Sequence, residues 1–377
     1  MAGLYIHIPF CRRQCYYCDF HFTVSFRNKE RVFKALLKEI EQRKNEVSNN
    51  IYNTIYFGGG TPSVLTIDEL KELFFVIYTN YNINDLAEIT LESNPDDLNQ
   101  EYLELLRKST PINRLSIGVQ SFIDRDLQWM NRRHSSEDAA KCITRANSVG
   151  FRNLNVDLIY GIPAMLNDEW KRNLEMVNEL FIPHLSAYHL TIEPKTVFAY
   201  YRKKGRLEII SEERSIEQFE TLIEFAKQTG YEHYEISNFA KPGAFSQHNM
   251  GYWTQKSYLG FGPSAHSYDG KKRRWNVSNN TIYAESVEKD TSDYYHWESI
   301  DTSTAYNEYI MTSLRTMWGI NLKYLEKCFG TDYSKYCLNE ADQFIFSGKL
   351  IRGKENIFLS DKGKMVVDYV ISALMMT

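Results

Sequence analysis

The residues best equipped for chemistry stand near the start of the chain. Cys11, Cys15 and Cys18 form a C-x-x-x-C-x-x-C frame within Cys11-Arg12-Arg13-Gln14-Cys15-Tyr16-Tyr17-Cys18. Three thiolates so close together suit a metal. A structural zinc site wants a fourth ligand at a characteristic spacing, yet Cys142, Cys328 and Cys337 stand singly and offer none. Iron–sulfur clusters are held by cysteine thiolates, and the cubane ordinarily takes four. Three local ligands would leave one iron open to a substrate or cofactor. A disulfide with a spare thiol, or an incomplete zinc knuckle, is the alternative for the same residues. Two further stretches carry chemistry. Gly58-Gly59-Gly60-Thr61-Pro62 lets a ligand approach bare backbone N–H groups, and no Lys follows at the spacing of a nucleotide-phosphate loop. Gln247-His248-Asn249-Met250-Gly251-Tyr252-Trp253 sets a histidine among aromatics, a grouping that can cover an apolar ring and hydrogen-bond its polar edge, and more commonly a packed core.

The elements that must position these residues follow a regular pattern. Leu4-Tyr5-Ile6-His7-Ile8 alternates as a strand that Pro9 ends, so the cysteines sit beyond its C-terminal end. Asn28 to Val47 has apolar residues at helical spacing, Ile51 to Phe57 is a strand, and Thr66-Ile67-Asp68-Glu69 is a capping box for a helix to Tyr78. Strands at 88–92, 114–120, 153–159, 184–190 and 232–236 alternate with helices at 99–107, 136–149, 167–180 and 211–229. Such βα alternation without hairpin signals predicts a parallel sheet of about six units, fewer than the eight of a closed barrel. Glu92, Gln120 and Asp157 fall at strand ends. On one rim they would bring acceptors for an ammonium, an amide and a ribose around the cysteine loop.

The cysteine frame, the aromatic Tyr17 before its last member and the downstream Gly-rich turn resemble the radical S-adenosylmethionine superfamily. That resemblance implies a [4Fe–4S] cluster on Cys11, Cys15 and Cys18 whose open iron binds S-adenosylmethionine and cleaves it reductively to a 5′-deoxyadenosyl radical. It also implies an α/β fold of the partial (β/α)6 barrel type. By position, Tyr5, Tyr17, Gly59, Gly60, Thr61, Glu92, Gln120, Arg132 and Asp157 match contacts to that cofactor in the coproporphyrinogen-oxidase branch, with Arg132 chosen over Arg133 because it directly follows Asn131. Three features resemble instead the related HemW-type haem chaperones. Phe20 stands where the oxidase has a fourth cysteine, no extension precedes the cysteines, and residues 248–253 carry H-N-x-x-Y-W. The chaperone branch implies haem bound through His248, Asn249, Tyr252 and Trp253, with His266 of the Gly260 to His266 segment as a second candidate ligand. It implies transfer of haem to client haem proteins, including ones at the membrane, and an electron donor such as flavodoxin or ferredoxin. The oxygen-independent oxidation of coproporphyrinogen III is the rival activity, which the chaperone branch would lack. A homodimer is left open.

The division expected is 1–236 for the barrel, 237–300 for a connecting segment packed on it with the haem motif, and 301–377 for a smaller helix-rich, winged-helix-like C-terminal domain. There the pattern predicts helices at 304–317, 322–329, 333–347 and 361–376, a hairpin at 350–359, buried Cys328 and Cys337, and a docking surface on the last helix. The 377 residues are ample for a sizeable core, and 43% hydrophobic with 24% charged residues is ordinary for a globular protein. A net charge of −4 provides no extended basic surface, so nucleic acid is not expected as a partner. Neither a signal sequence nor an apolar run of transmembrane length is found, so the expectation is a cytoplasmic protein, where unpaired thiols stay reduced.

Overall fold

The computed structural model describes residues 2–46 and 51–376. Strands β1 (Ala2–Ile8), β2 (Ile51–Gly59), β3 (Asn82–Ser93), β4 (Arg114–Gln120), β5 (Asn153–Tyr160) and β6 (His184–His189) pair side by side in chain order, every pair parallel. Helices Lys29–Gln42, Ile67–Asn80, Gln100–Ser109, Ser136–Ser148 and Asn167–Glu179 make the crossovers. The strands alternate: Leu4, Ile6, Ile55, Phe57, Leu91, Leu115, Ile117, Leu154 and Val156 on one face are all buried in the hydrophobic core, while Tyr5, Tyr56, Glu92, Ser116, Asn155 and Asp157 stand on the other. Each such apolar side chain contributes roughly 1.5–3 kcal/mol by leaving water.

The first helix ends at Gln42, short of the predicted boundary, and Val47 lies outside the described residues. At 232–236 the structure corrects the parallel pattern. β7 (Glu232–Glu235) folds back on β8 (Asn238–Ala240), which pairs antiparallel with β6. This hairpin has no Gly or Pro. Its turn is held by Glu235, whose carboxylate accepts the Ser237 N–H at 3.1 Å and the Asn238 amide.

Residues 237–300 do more than pack on the barrel, because they extend its sheet past β1. Strand β9 (Tyr258–Phe261) pairs parallel with β1, and β10 (His266–Tyr268), β11 (Lys272–Asn276) and β12 (Tyr295–Ser299) follow antiparallel. The twelve strands form one sheet with β12 and β7 at its edges. Between β9 and β10 the backbones nearly touch, and a Cβ on Gly260 would lie 2.0 Å from the His266 carbonyl oxygen, so only glycine fits. A buried ion pair braces that turn. The Glu39 carboxylate accepts from Arg43 at 2.9 Å, Asn276 at 2.8 Å, the Gly262 N–H at 2.8 Å and the Tyr283 hydroxyl at 2.7 Å. Arg43 also donates to the Gly260 carbonyl at 2.6 Å and to Ser267 at 2.9 Å.

The C-terminal region has its own core around Tyr306, Ile310, Leu325, Phe344 and Ile371, built on helices Thr302–Leu314, Leu322–Phe329 and Thr331–Phe346. Its three-stranded sheet comprises β13 (Ile320–Asn321), β14 (Leu350–Arg352) and β15 (Asn356–Leu359). Two expectations are corrected here. Cys328 is exposed, whereas Cys337 is buried. The last helix breaks into Asp361–Lys364 and Val367–Leu374, and its apolar stripe of Val367, Val370, Ile371 and Leu374 is buried within this region's own core. It therefore offers no docking surface. No helix among the described residues is long and apolar enough to cross a membrane.

Candidate functional site

The cysteine loop leaves β1 at Pro9 and is pinned at its neck by Cys11 N–H to the Thr23 carbonyl (3.0 Å) and Thr23 N–H to the Pro9 carbonyl (2.9 Å). Its crown is tied down by the Tyr16 N–H on the Met130 carbonyl (3.1 Å), the Phe198 N–H on the Tyr16 carbonyl (3.0 Å) and the Asn131 amide on the Gln14 carbonyl (2.7 Å). The three thiols line one cavity of about 510 Å³, at the C-terminal ends of β2 to β6. No group of three His, Cys, Asp or Glu residues among the described residues closes on a single metal ion.

Donors aim at the sulfurs. Thr61 Oγ1 donates to Cys11 Sγ at 3.3 Å and Arg132 Nη1 to Cys15 Sγ at 3.2 Å. Burial pushes the Cys11 thiol up to about 11 and the Cys18 thiol up to about 12. Arg132 is fixed by Asn94 Oδ1 at 2.7 Å, while its Nε is buried with no partner. Arg133 turns away to Asp96 at 2.9 Å, so Arg132 is the one that reaches the cavity.

Of the nine residues matched to cofactor contacts, the cavity gathers Tyr17, Gly59, Gly60, Thr61, Glu92, Gln120, Arg132 and Asp157. Tyr5 lines a second, larger cavity instead, its hydroxyl donating to His7 Nδ1 at 3.0 Å. The glycine turn is shaped by close approach. Gly59 sits at φ +106°, and a Cβ there would lie 2.4 Å from the His7 ring. A Cβ on Gly60 would lie 2.8 Å from the backbone of Ile8 and Phe10. Glu92 accepts the Tyr56 hydroxyl at 2.7 Å and the Gly59 N–H at 3.2 Å, and burial lifts its carboxyl to about 7. Asp157, raised by burial, accepts from Asn155 at 2.7 Å. Gln120 holds the left-handed φ of +71°, a strain of the kind that gathers at functional sites. Sequence reasoning did not single out Asn94, Tyr56, Asn155 or Ser186, which complete this lining. Asn94 follows a strand and precedes Pro95, a turn signal that hid its inward role.

These residues fit a cluster and its cofactor: three sulfurs, one facing a hydroxyl and one a guanidinium, an orphaned guanidinium nitrogen, a backbone cradle that any Cβ would fill, and two buried carboxyls.

The histidine-and-aromatic segment forms the helix Gln247–Trp253, a single short span held by β3. Glu88 accepts the backbone N–H groups of Gln247 and His248, each at 3.1 Å. The helix splits its residues three ways. Asn249 lines the cysteine cavity, Tyr252 and Trp253 line the larger one, and His248 lies behind them. His248 is 3% exposed, its Nδ1 2.7 Å from Thr54 Oγ1 and its Nε2 2.8 Å from the Tyr252 hydroxyl. Burial pulls its imidazole down to about 3.

Comparison with known proteins adds to this geometry. The model of the radical SAM superfamily matches residues 5–177. The chain is 32% identical to the Heme chaperone HemW of Bacillus subtilis, over 100% of this chain and 99% of that protein. It is 33% identical over 70% of its length to radical S-adenosyl methionine domain-containing protein 1, mitochondrial, of Danio rerio, covering 60% of that protein. Among solved structures, coproporphyrinogen III oxidase (HemN) from Escherichia coli superposes with a TM-score of 0.86 over 100% of this chain and 90% of that one, at 23% identity, a likeness of fold.

Proposed function

We propose, for a chain that belongs to the radical SAM superfamily and within it to the HemW haem-chaperone family, that it binds haem beside a cluster site and delivers it to client haem proteins. The observation that carries this reading is the seating of the H-N-x-x-Y-W helix, which gives Asn249 to the cysteine cavity and Tyr252 and Trp253 to the larger one.

Cys11, Cys15 and Cys18 would hold a [4Fe–4S] cluster, and Gly59, Gly60, Thr61, Glu92, Gln120, Arg132 and Asp157 would hold S-adenosylmethionine. The cluster, when bound, supplies one-electron reductive cleavage of that cofactor. The protein's own residues do the positioning. Glu92, as a carboxylate, would pair with the cofactor's ammonium; the glycine turn, its own N–H groups bonded to Glu92, Ile8 and Phe10, would leave room for the methionine end to approach bare backbone; Asp157 would accept from ribose hydroxyls. Arg132 donates to Cys15 Sγ and would fix the orientation of that ligand. Phe20, 68% exposed where the oxidase has a cysteine, fits a protein without coproporphyrinogen oxidase activity. The clients, a flavodoxin- or ferredoxin-like electron donor and a cytoplasmic setting belong to the same proposal.

Its test is an anaerobic haemin titration of the cluster-reconstituted protein, followed by gel filtration and measurement of retained haem. Near-stoichiometric retention is the expected result. No retained haem together with decarboxylation of coproporphyrinogen III would replace the chaperone by the oxidase.

A further inference from the structure

A cavity of about 1100 Å³ opens between the cysteine loop, the β9–β10 turn and the C-terminal helix Thr302–Leu314. It meets the cysteine cavity at Cys18, Asp19 and Phe20, which line both. Haem asks three things of a site: apolar walls for the macrocycle, a cation or hydroxyls for the propionates, and a nitrogen for the iron. The walls here include Phe22, Val24, Trp253 and Met311, and Lys195 stands among the lining residues with Ser264 and Ser278.

Hydrogen bonding and exposure narrow the choice of nitrogen among the imidazoles. His248 does not line this cavity and has both ring nitrogens in hydrogen-bond contact. His7 lines it, but its Nδ1 takes the Tyr5 hydroxyl and its Nε2 reaches the His21 carbonyl at 2.9 Å. His21 has one nitrogen engaged, by Asn280 Oδ1 at 2.7 Å. His266 lines the cavity, is exposed, and has neither nitrogen hydrogen-bonded among the described residues. Its ring is stacked on Trp275 at 6.3 Å between centroids, and its backbone is set by the Gly260 approach and the buried Glu39–Arg43 brace. It is a preorganised imidazole with a free lone pair beside a chamber of mixed apolar and polar walls.

We propose, building on the haem-chaperone reading, that haem is received in this larger cavity with His266 as its iron ligand, and that His248 is a positioning residue acting through Tyr252. The haem chamber then adjoins the cluster site, with Cys18, Asp19 and Phe20 shared between them, and the C-terminal region forms a wall of the chamber through Met311 and Thr312.

The test uses the full chain with its cluster reconstituted anaerobically, in four forms: wild type, His266→Ala, Met311→Trp to fill the chamber, and His248→Gln. Haemin is added, haem retained after gel filtration is assayed as its pyridine complex, and low-spin electron paramagnetic resonance reports axial imidazole. Circular dichroism and cluster absorbance confirm that each variant is folded. His266→Ala and Met311→Trp should each lower retained haem by about tenfold or more, and added imidazole should restore the low-spin signal in His266→Ala. His248→Gln should keep an imidazole-ligated signal. Loss of that signal in His248→Gln with its persistence in His266→Ala would overturn the assignment while leaving haem binding intact. Failure of the wild type to retain haem would overturn the chaperone reading as well.

Discussion

Burial holds the thiols of Cys11 and Cys18 far above neutrality, at about 11 and about 12, so any ligation to iron must displace their protons. Cluster assembly should therefore release protons and reach a given occupancy at lower iron and sulfide as pH rises from 7 to 8.5, followed by visible absorbance; pH-independent loading would contradict it. Cys15→Ala should abolish that absorbance while leaving the far-ultraviolet spectrum unchanged. Glu92 gives a second pH effect. Its folded carboxyl titrates at about 7 against about 4.3 for an unfolded glutamate. Between those values the folded state keeps a proton that the unfolded state has lost, so stability falls as pH rises through this window, by up to about 4 kcal/mol. Glu92→Gln should raise the melting temperature of the ligand-free protein at pH 8 and weaken S-adenosylmethionine binding. A variant less stable at pH 8 with unchanged affinity would contradict both parts. At this scale the spacing of the cysteines and the glycine turn was enough to single out residues that the fold brings to one cavity. The burial of His248 was not legible, because a histidine among aromatics has the same sequence whether it faces a ligand or packs behind one.

Helices and strands of the barrel were legible because strand alternation and helical spacing leave strong periodic signals, as in β4, where Leu115, Ile117 and Val119 alternate with Arg114, Ser116 and Gly118, and in the helix Ser136–Ser148. The β7–β8 hairpin was not, since the Glu235 side chain does the work that Gly or Pro would announce. Nor were β9 to β12, short strands whose place depends on a parallel pairing of Gly3 with Tyr258 across most of the chain. The Glu39–Arg43 brace that sets the β9–β10 turn is a buried ion pair with all its hydrogen bonds made. Removing one partner should leave an uncompensated charge, so Glu39→Ala is expected to lower stability by about 3–5 kcal/mol in urea denaturation. A loss under about 1 kcal/mol would show that the turn holds itself.

The whole molecule is one twelve-stranded sheet with a separately cored C-terminal region leaning over its mouth. Three parts of the chain far apart in sequence thus meet at two adjoining cavities: the cysteine loop, the 247–266 segment and the helix Thr302–Leu314. That convergence is invisible in the sequence, where the C-terminal region looks like an appendage. On the proposed reading it gives the C-terminal region a share in the haem chamber and would set cargo next to the cluster. The central claim is that this arrangement hands haem on. The most direct measurement mixes the haem-loaded, cluster-reconstituted protein anaerobically with a haem-free b-type cytochrome and follows the acceptor's Soret band. The account predicts that the acceptor fills as the donor empties, with less haem lost to aggregates than when free haemin is supplied. Haem that stays on the donor, or an acceptor filled no better than from free haemin, would contradict it.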